Sequence, residues 1–363
     1  MLKAKDCVKN TAPYIPGKPI DEVKRELGLS EVYKLASNEN PLGPPGSAVE
    51  AIKVAAAKGA LYPDSSCYDL RMAVSNNLAV KPGEIIFGAG SNEIIKLLSL
   101  VYLEPGDEII VPQPTFSEYK RAATLCGATT KEIPVNDQMV VDLPAMAGAI
   151  SSRTKIIYIC NPNNPTGTVI NKRHLLQMLH RIGKDILVVL DEAYYEYVDD
   201  DNSPDGLEFF REFPNVIVLR TFSKAYGLAG LRVGYALARA EIVAELNKAA
   251  EPFSVTSVSQ AAALAAWQDK EYLKKSVNYN RVERDFVATS LRTMGLTVWD
   301  SQANFLLVDL GMDSQKVYKE LKAKGIIVRS AATFGYRQAI RVSIGLRREN
   351  DLFLQALKEV LNK

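Results

Sequence analysis

The chain has only two histidines, two tryptophans and four cysteines in 363 residues, and almost no charge excess: 44 Lys+Arg against 42 Asp+Glu leave +2. Each scarcity excludes a chemistry. His174 and His180 stand six residues apart in a stretch that reads as an amphipathic helix. That is not the i, i+4 spacing of a zinc-binding helix, so packing or surface roles are expected, with no metal site and no Ser-His-Asp catalysis. Cys7, Cys67, Cys126 and Cys160 are scattered without a CxxC pair, which suits reduced thiols in a cytoplasm rather than a disulfide framework. No run approaches the roughly 18 apolar residues of a membrane-spanning helix, and the first twenty residues lack a secretory apolar core. Without a clustered basic run, nucleic acid is not an expected partner. What remains, 47% hydrophobic and 24% charged, is the composition of an ordinary globular protein, long enough for about two domains.

From about residue 45 to about 250, short apolar runs alternate with amphipathic stretches. EIIFGAG (84–90), DEIIVPQP (107–114), TKIIYICNP (154–162), DILVVLDEAY (185–194) and NVIVLRTFS (215–223) read as strands, with helices over 91–103 and 172–183. Short β-branched runs separated by helical patterns predict βαβ units and a mostly parallel sheet. After this series, 256–294 reads as one long helical region. NFLLVDL, GIIVRS and AIRVSIGL then read as strands around the helix SQKVYKELKAKG, an α+β segment. The Pro- and Gly-rich start reads as an extended arm.

Open α/β sheets bind ligands at the carboxyl ends of their strands, so the residues just past each strand carry the argument. Past the first lies Gly88-Ala89-Gly90-Ser91-Asn92-Glu93, a small-residue turn entering a helix, suited to a phosphate but common in purely structural helix starts. Past TKIIYIC lies NPNNPTG (161–167), an irregular loop presenting amides. Past DILVVL stands Asp191, a carboxylate ending an apolar strand, which needs a cation or donor or else serves as a helix cap. Past NVIVLRTF come Ser223 and Lys224, then Gly227, Gly230, Arg232 and Gly234. A lysine delivered into such a crevice loses hydration and becomes a nucleophile. Jointly these groups suit pyridoxal 5′-phosphate held by a lysine, with an acidic partner for its ring nitrogen.

SNENPLG (37–43), LYPD (61–64), NPNNPTG, DEAY (191–194) and FSKAYGLAGLRVGY (222–235) resemble the fold-type-I pyridoxal-phosphate aminotransferases. PYIPGKP (13–19) and GIIVRS…IRVSIG (325–345) narrow the resemblance to the histidinol-phosphate aminotransferase family, in family order along essentially the whole chain. The resemblance implies an α/β, aspartate-aminotransferase-like fold: an arm (1–44) partly contributing to the small domain, a large domain (45–255) and a small α+β domain (256–363).

It also implies roles. Lys224 would bond the cofactor and then carry the substrate's proton. Asp191 would pair with the ring nitrogen; Asn164 and Tyr194 with the ring oxygen. Gly90, Ser91, Asn92, Thr221, Ser223 and Arg232 would hold the phosphate, and Phe116, where many members have Tyr, would stack on the ring. Arg341 would take the substrate's anionic group, helped by Arg329, Tyr14 and Tyr62, with Asn40 facing the substrate. Tyr62 would reach into the neighbouring subunit's site, implying a homodimer. The reaction implied is amino transfer between histidinol phosphate and 2-oxoglutarate/glutamate in histidine biosynthesis. An aromatic amino acid aminotransferase, a threonine-phosphate decarboxylase and a non-catalytic regulator of the same fold remain alternatives.

Overall fold

A computed structural model describes residues 2–9, 11 and 19–362. A two-residue strand, β1 (Tyr33–Lys34), precedes the main sheet. That sheet contains β2 (Ile85–Gly88), β3 (Glu108–Gln113), β4 (Thr129–Pro134), β5 (Thr154–Cys160), β6 (Leu187–Asp191), β7 (Val216–Thr221) and β8 (Gly234–Leu237). Its spatial order is β2-β8-β7-β6-β5-β3-β4, with β8 antiparallel to both neighbours and the rest parallel. Because β8 runs opposite to β2 and β7, those two strands run the same way. The carboxyl ends of β2, β5, β6 and β7 therefore share one edge of the sheet.

Both faces of this sheet are buried, and strand parity sorts the side chains. Ile157 and Ile159 of β5, Val188 and Leu190 of β6, and Val216 and Val218 of β7 enter one apolar cluster. Ile156, Tyr158 and Cys160, Leu187 and Val189, and Ile217 and Leu219 enter the other. The continuous apolar runs of the sequence are thus strands covered on both sides. The same period of two turns Asp191 toward the second cluster, where Tyr119 lies.

A four-stranded antiparallel sheet follows: β9 (Thr297–Val298), β10 (Phe305–Asp309), β12 (Arg329–Ser330) and β13 (Ala339–Ser343), in the order β12-β13-β10-β9. β11 (Ile326–Ile327) pairs in parallel with β1, tying the N-terminal segment to this part of the chain. The helical stretch expected over 256–294 is two helices, Ser257–Gln268 and Lys270–Thr293. Asp269 divides them, because its carboxylate caps the second helix by accepting the Tyr272 N–H.

Candidate active site

One cavity of about 300 Å³ opens at the carboxyl edge of the large sheet. Ser91, Asn92, Phe116, Asn164, Asp191, Tyr194, Thr221, Ser223, Lys224, Arg232, Arg329 and Arg341 all line it. Gly90 lies beside it, touching Arg232. Besides Gly90, two expected residues among those described are not in the lining, Asn40 and Tyr62. Tyr14 lies outside the described residues. Asn40 is spent on tethering: its amide donates to Ala225 O at 3.0 Å and Ser276 Oγ at 2.8 Å, while its oxygen accepts the Leu42 N–H. Tyr62 is 83% exposed and stacks on Phe253, with ring centroids 4.8 Å apart.

The anion end is built by backbone. Helix Ser91–Tyr102 begins at this edge, with Gly90 at φ 82 as its N-cap. A Cβ on Gly90 would strike the Arg232 guanidinium, and one on Gly234 would strike Ser91 N and Gly90 C. Both glycines are therefore needed for the turn, Arg232 and β8 to pack together. Arg232 Nη1 donates to Ala229 O at 3.0 Å and to Ser223 Oγ at 3.4 Å. Thr221 Oγ1 donates to Ser223 Oγ at 3.0 Å, fixing that hydroxyl. Free N–H groups at a helix start, a hydroxyl and a guanidinium form a donor set that fits a phosphate monoester.

At the floor, Asp191 accepts the Tyr119 hydroxyl at 2.6 Å and the Ala193 N–H at 3.2 Å. Burial pushes its carboxyl up to about 6, against those hydrogen bonds and the Lys224 charge, which pull it down. The donor that sequence reasoning missed is Tyr119, whose ring stacks on Tyr158 at 4.5 Å. Such a carboxylate gains a full partner when a protonated ring nitrogen is beside it. The NPNNPTG asparagines divide their work. Asn161 accepts the Ile170 N–H, and Asn163 is locked between Thr115, Pro114 and Thr166. Asn164 alone faces the cavity, its Oδ1 accepting from Arg341 Nη1 at 2.5 Å.

Lys224 Nζ donates to Ser37 O at 3.2 Å and lies 5.7 Å from the Tyr194 ring centroid. Burial first, then the Arg341 and Arg232 charges, brings its ammonium down to about 8. Arg341 Nη2 also donates to Ala36 O at 2.6 Å, and its guanidinium lies 5.3 Å from the Phe305 ring centroid. In register, Arg329 of β12 stands directly opposite Arg341 of β13. Like charges directly opposed across strands destabilise a sheet unless an anion joins them. Among the described residues, no group of three or more His, Cys, Asp or Glu could hold a metal ion.

A cavity with a phosphate cradle, a buried carboxylate and a lysine of lowered pKa defines a class. The chain belongs to the class I and II aminotransferases, whose family model matches residues 30–357. Among curated proteins it is similar to the histidinol-phosphate aminotransferase of Moorella thermoacetica, at 46% identity over 99% of this chain and 93% of that one. It is equally similar to that of Caldicellulosiruptor saccharolyticus, at 45% identity over 98% and 99%. These relatives put it in the histidinol-phosphate aminotransferase family. Among solved structures it matches the histidinol-phosphate aminotransferase of Sinorhizobium meliloti in complex with pyridoxal 5′-phosphate, with TM-score 0.92 and 28% identity over 100% and 98% of the two chains. The aspartate aminotransferase of Thermus thermophilus shares the fold, with TM-score 0.87 and 24% identity over 99% of this chain and all of that one.

Proposed function

We propose that the protein transfers the amino group between histidinol phosphate and 2-oxoglutarate, using pyridoxal 5′-phosphate, as a step of histidine biosynthesis in the cytoplasm. The observation that carries the substrate reading is the Arg329–Arg341 pair, two guanidiniums opposed across strands on one cavity wall. Four cationic side chains line the cavity (Lys224, Arg232, Arg329, Arg341) against two carboxylates (Glu39, Asp191). One anion at the Ser223–Arg232 end leaves the arginine pair for a second, and a phosphate ester uses more donors than a carboxylate does.

Bound pyridoxal 5′-phosphate supplies the electron sink that takes up an amino group and returns it to a keto acid. The chain's own residues do the rest. The start of helix Ser91–Tyr102, with Asn92, Thr221, Ser223 and Arg232, would hold the cofactor phosphate. Asp191, steadied by Tyr119, would hold a proton on the ring nitrogen, and Phe116 would pack against the ring. Asn164 and Tyr194 would donate to the ring oxygen. Lys224, neutral above about pH 8, would be the base that takes and returns the substrate's Cα proton. Arg329 and Arg341 orient the substrate through its phosphate, with Tyr14 assisting. Asn40 secures the SNEN segment against Ala225, the residue after the lysine.

The working form is proposed to be a homodimer in which Tyr62 enters the partner's site. Its support is a set of exposed apolar side chains (Val54, Leu61, Tyr62, Tyr68 and Phe253) that a second copy would cover.

Arg329→Ala tests the substrate reading. Its kcat/KM for histidinol phosphate should fall about 10–100-fold, the worth of one charge-assisted contact, while that for glutamate changes little. Equal losses for both would make Arg329 a general anion residue and remove this argument for the phosphate ester.

A further inference from the structure

Asn38 lines the cavity, is buried, and adopts φ 55, a left-handed conformation that asparagine tolerates. Its hydrogen bonds form a chain whose direction is settled at one end. The Asn38 backbone N–H, which can only donate, meets Ser343 Oγ at 2.8 Å. The serine oxygen accepts there, so its own proton goes elsewhere, to Asn38 Oδ1 at 2.9 Å. With Oδ1 engaged, Nδ2 faces Tyr194 Oη at 2.9 Å. An amide nitrogen only donates, so the tyrosine oxygen accepts. Turning the amide over would place two donors on Ser343 Oγ and leave a buried hydroxyl proton without its acceptor, which buried groups avoid.

Among the described residues, the Tyr194 hydroxyl donates no hydrogen bond to a protein acceptor. Asn304 Nδ2 holds the Asn38 carbonyl at 2.9 Å, so the backbone that starts the chain is itself fixed. We infer that Asn38, oriented by Ser343, is a positioning residue that fixes the Tyr194 hydroxyl as a hydrogen-bond donor into the cavity. The inference rests on the proposed contact of Tyr194 with the cofactor's ring oxygen and adds how that contact gets its polarity. The relay joins three distant stretches: the segment before the first long helix, the loop after β6, and β13.

The charged groups near Tyr194 are Arg341 of β13, Asp191 at the end of β6 and Lys224 after β7, with the Cys160 thiol at the end of β5. They stay in place when Asn38 is changed, so a double-variant cycle isolates the relay. The readout is the pH midpoint of the visible band of the holoenzyme, without substrate, for the parent, Asn38→Asp, Tyr194→Phe and the double variant. A carboxylate at position 38 accepts rather than donates, and so draws the tyrosine proton away from the cavity. A ring oxygen that loses a donor holds the neighbouring proton more tightly, so the midpoint rises.

The expected result is a rise of about one pH unit for each single variant, with the double variant no higher than Tyr194→Phe alone. Additive shifts would mean that the new carboxylate acts only by its charge, and an unmoved Asn38→Asp midpoint would mean that there is no relay; either overturns the inference while leaving Tyr194 in its role. An unmoved Tyr194→Phe midpoint would overturn both. If Asn38→Asp does not bind cofactor, Ser343→Ala takes its place. It frees the amide to turn and should raise the midpoint less, in the same direction, but not in a Tyr194→Phe background; no rise overturns the relay.

Discussion

At the Lys224 amine, burial and two neighbouring guanidiniums act in the same direction, and each favours the neutral form that can attack an aldehyde. Because its ammonium is brought down to about 8, the neutral fraction climbs tenfold per pH unit below that value and saturates above it. The rate at which apoprotein regains its visible band on adding cofactor should follow this profile and level off near pH 8. An unperturbed lysine would keep gaining to beyond pH 10. Arg341→Gln removes the guanidinium with the larger effect and should move the levelling point upward; an unchanged point would mean that Arg341 does not tune the amine.

Lys224 and Asp191, which line the cavity, were legible because each follows an apolar strand of the large sheet, whereas Asn164 was singled out among the three asparagines of its loop only through the family resemblance. Asn38 and Tyr119 were not. Asn38 meets Tyr194 across 156 residues, and Tyr119 meets Asp191 across 72. No local pattern carries such pairings. Asn40, two residues from Asn38, was expected at the substrate and instead anchors the segment.

The strands β2, β3, β5, β6 and β7 announced themselves as continuous apolar runs, since a strand covered on both faces has no polar side to show. β4 escaped because it is the sheet's edge and carries Thr-Thr-Lys-Glu, exposed or half-buried. β8 escaped because its four residues, GYAL, continue from a glycine-rich loop without a break in composition. Helix Arg347–Val360 was also missed: its first four residues, RREN, hide the apolar stripe of Phe353, Leu354 and Leu357. β8 nonetheless shapes the phosphate cradle through Gly234. Gly234→Ala should destabilise the fold by about 1–3 kcal/mol, the usual penalty for overpacking, and should weaken cofactor binding at least about tenfold. Cofactor titration alongside thermal melting separates the two. A melt lowered without weaker binding would mean that the turn before Ser91 is not part of the cradle.

Across the whole molecule, each piece of the site comes from a different part of the chain: the helix after β2, the loops after β5, β6 and β7, and β12 and β13 of the second sheet. Gln302 bolts the two sheets' loops together, its N–H donating to Gly167 O and its Oε1 accepting the Asp199 N–H, each at 2.8 Å. Gly167 belongs to the same NPNNPTG loop as Asn164, so the cavity and this junction share one hydrogen-bonded segment. The proposed homodimer, with Tyr62 in the partner's site, carries a further prediction. Lys224→Ala and Tyr62→Ala should each lose most activity alone. Mixed and reassembled, the two should recover a substantial fraction, because one site of each hybrid then has both residues intact. No recovery in hybrids shown to have formed would place Tyr62 in its own subunit's site or outside catalysis.

Whether the amino donor bears a phosphate ester is decided by a half-reaction. Histidinol phosphate is added to cofactor-loaded protein with no keto acid present, and the visible spectrum is recorded. The expected result is stoichiometric loss of the yellow band to the amine form of the cofactor, and its return on adding 2-oxoglutarate. A yellow spectrum unchanged by histidinol phosphate, in protein that glutamate still converts, would contradict the phosphate-ester reading and leave a transaminase for another amino donor.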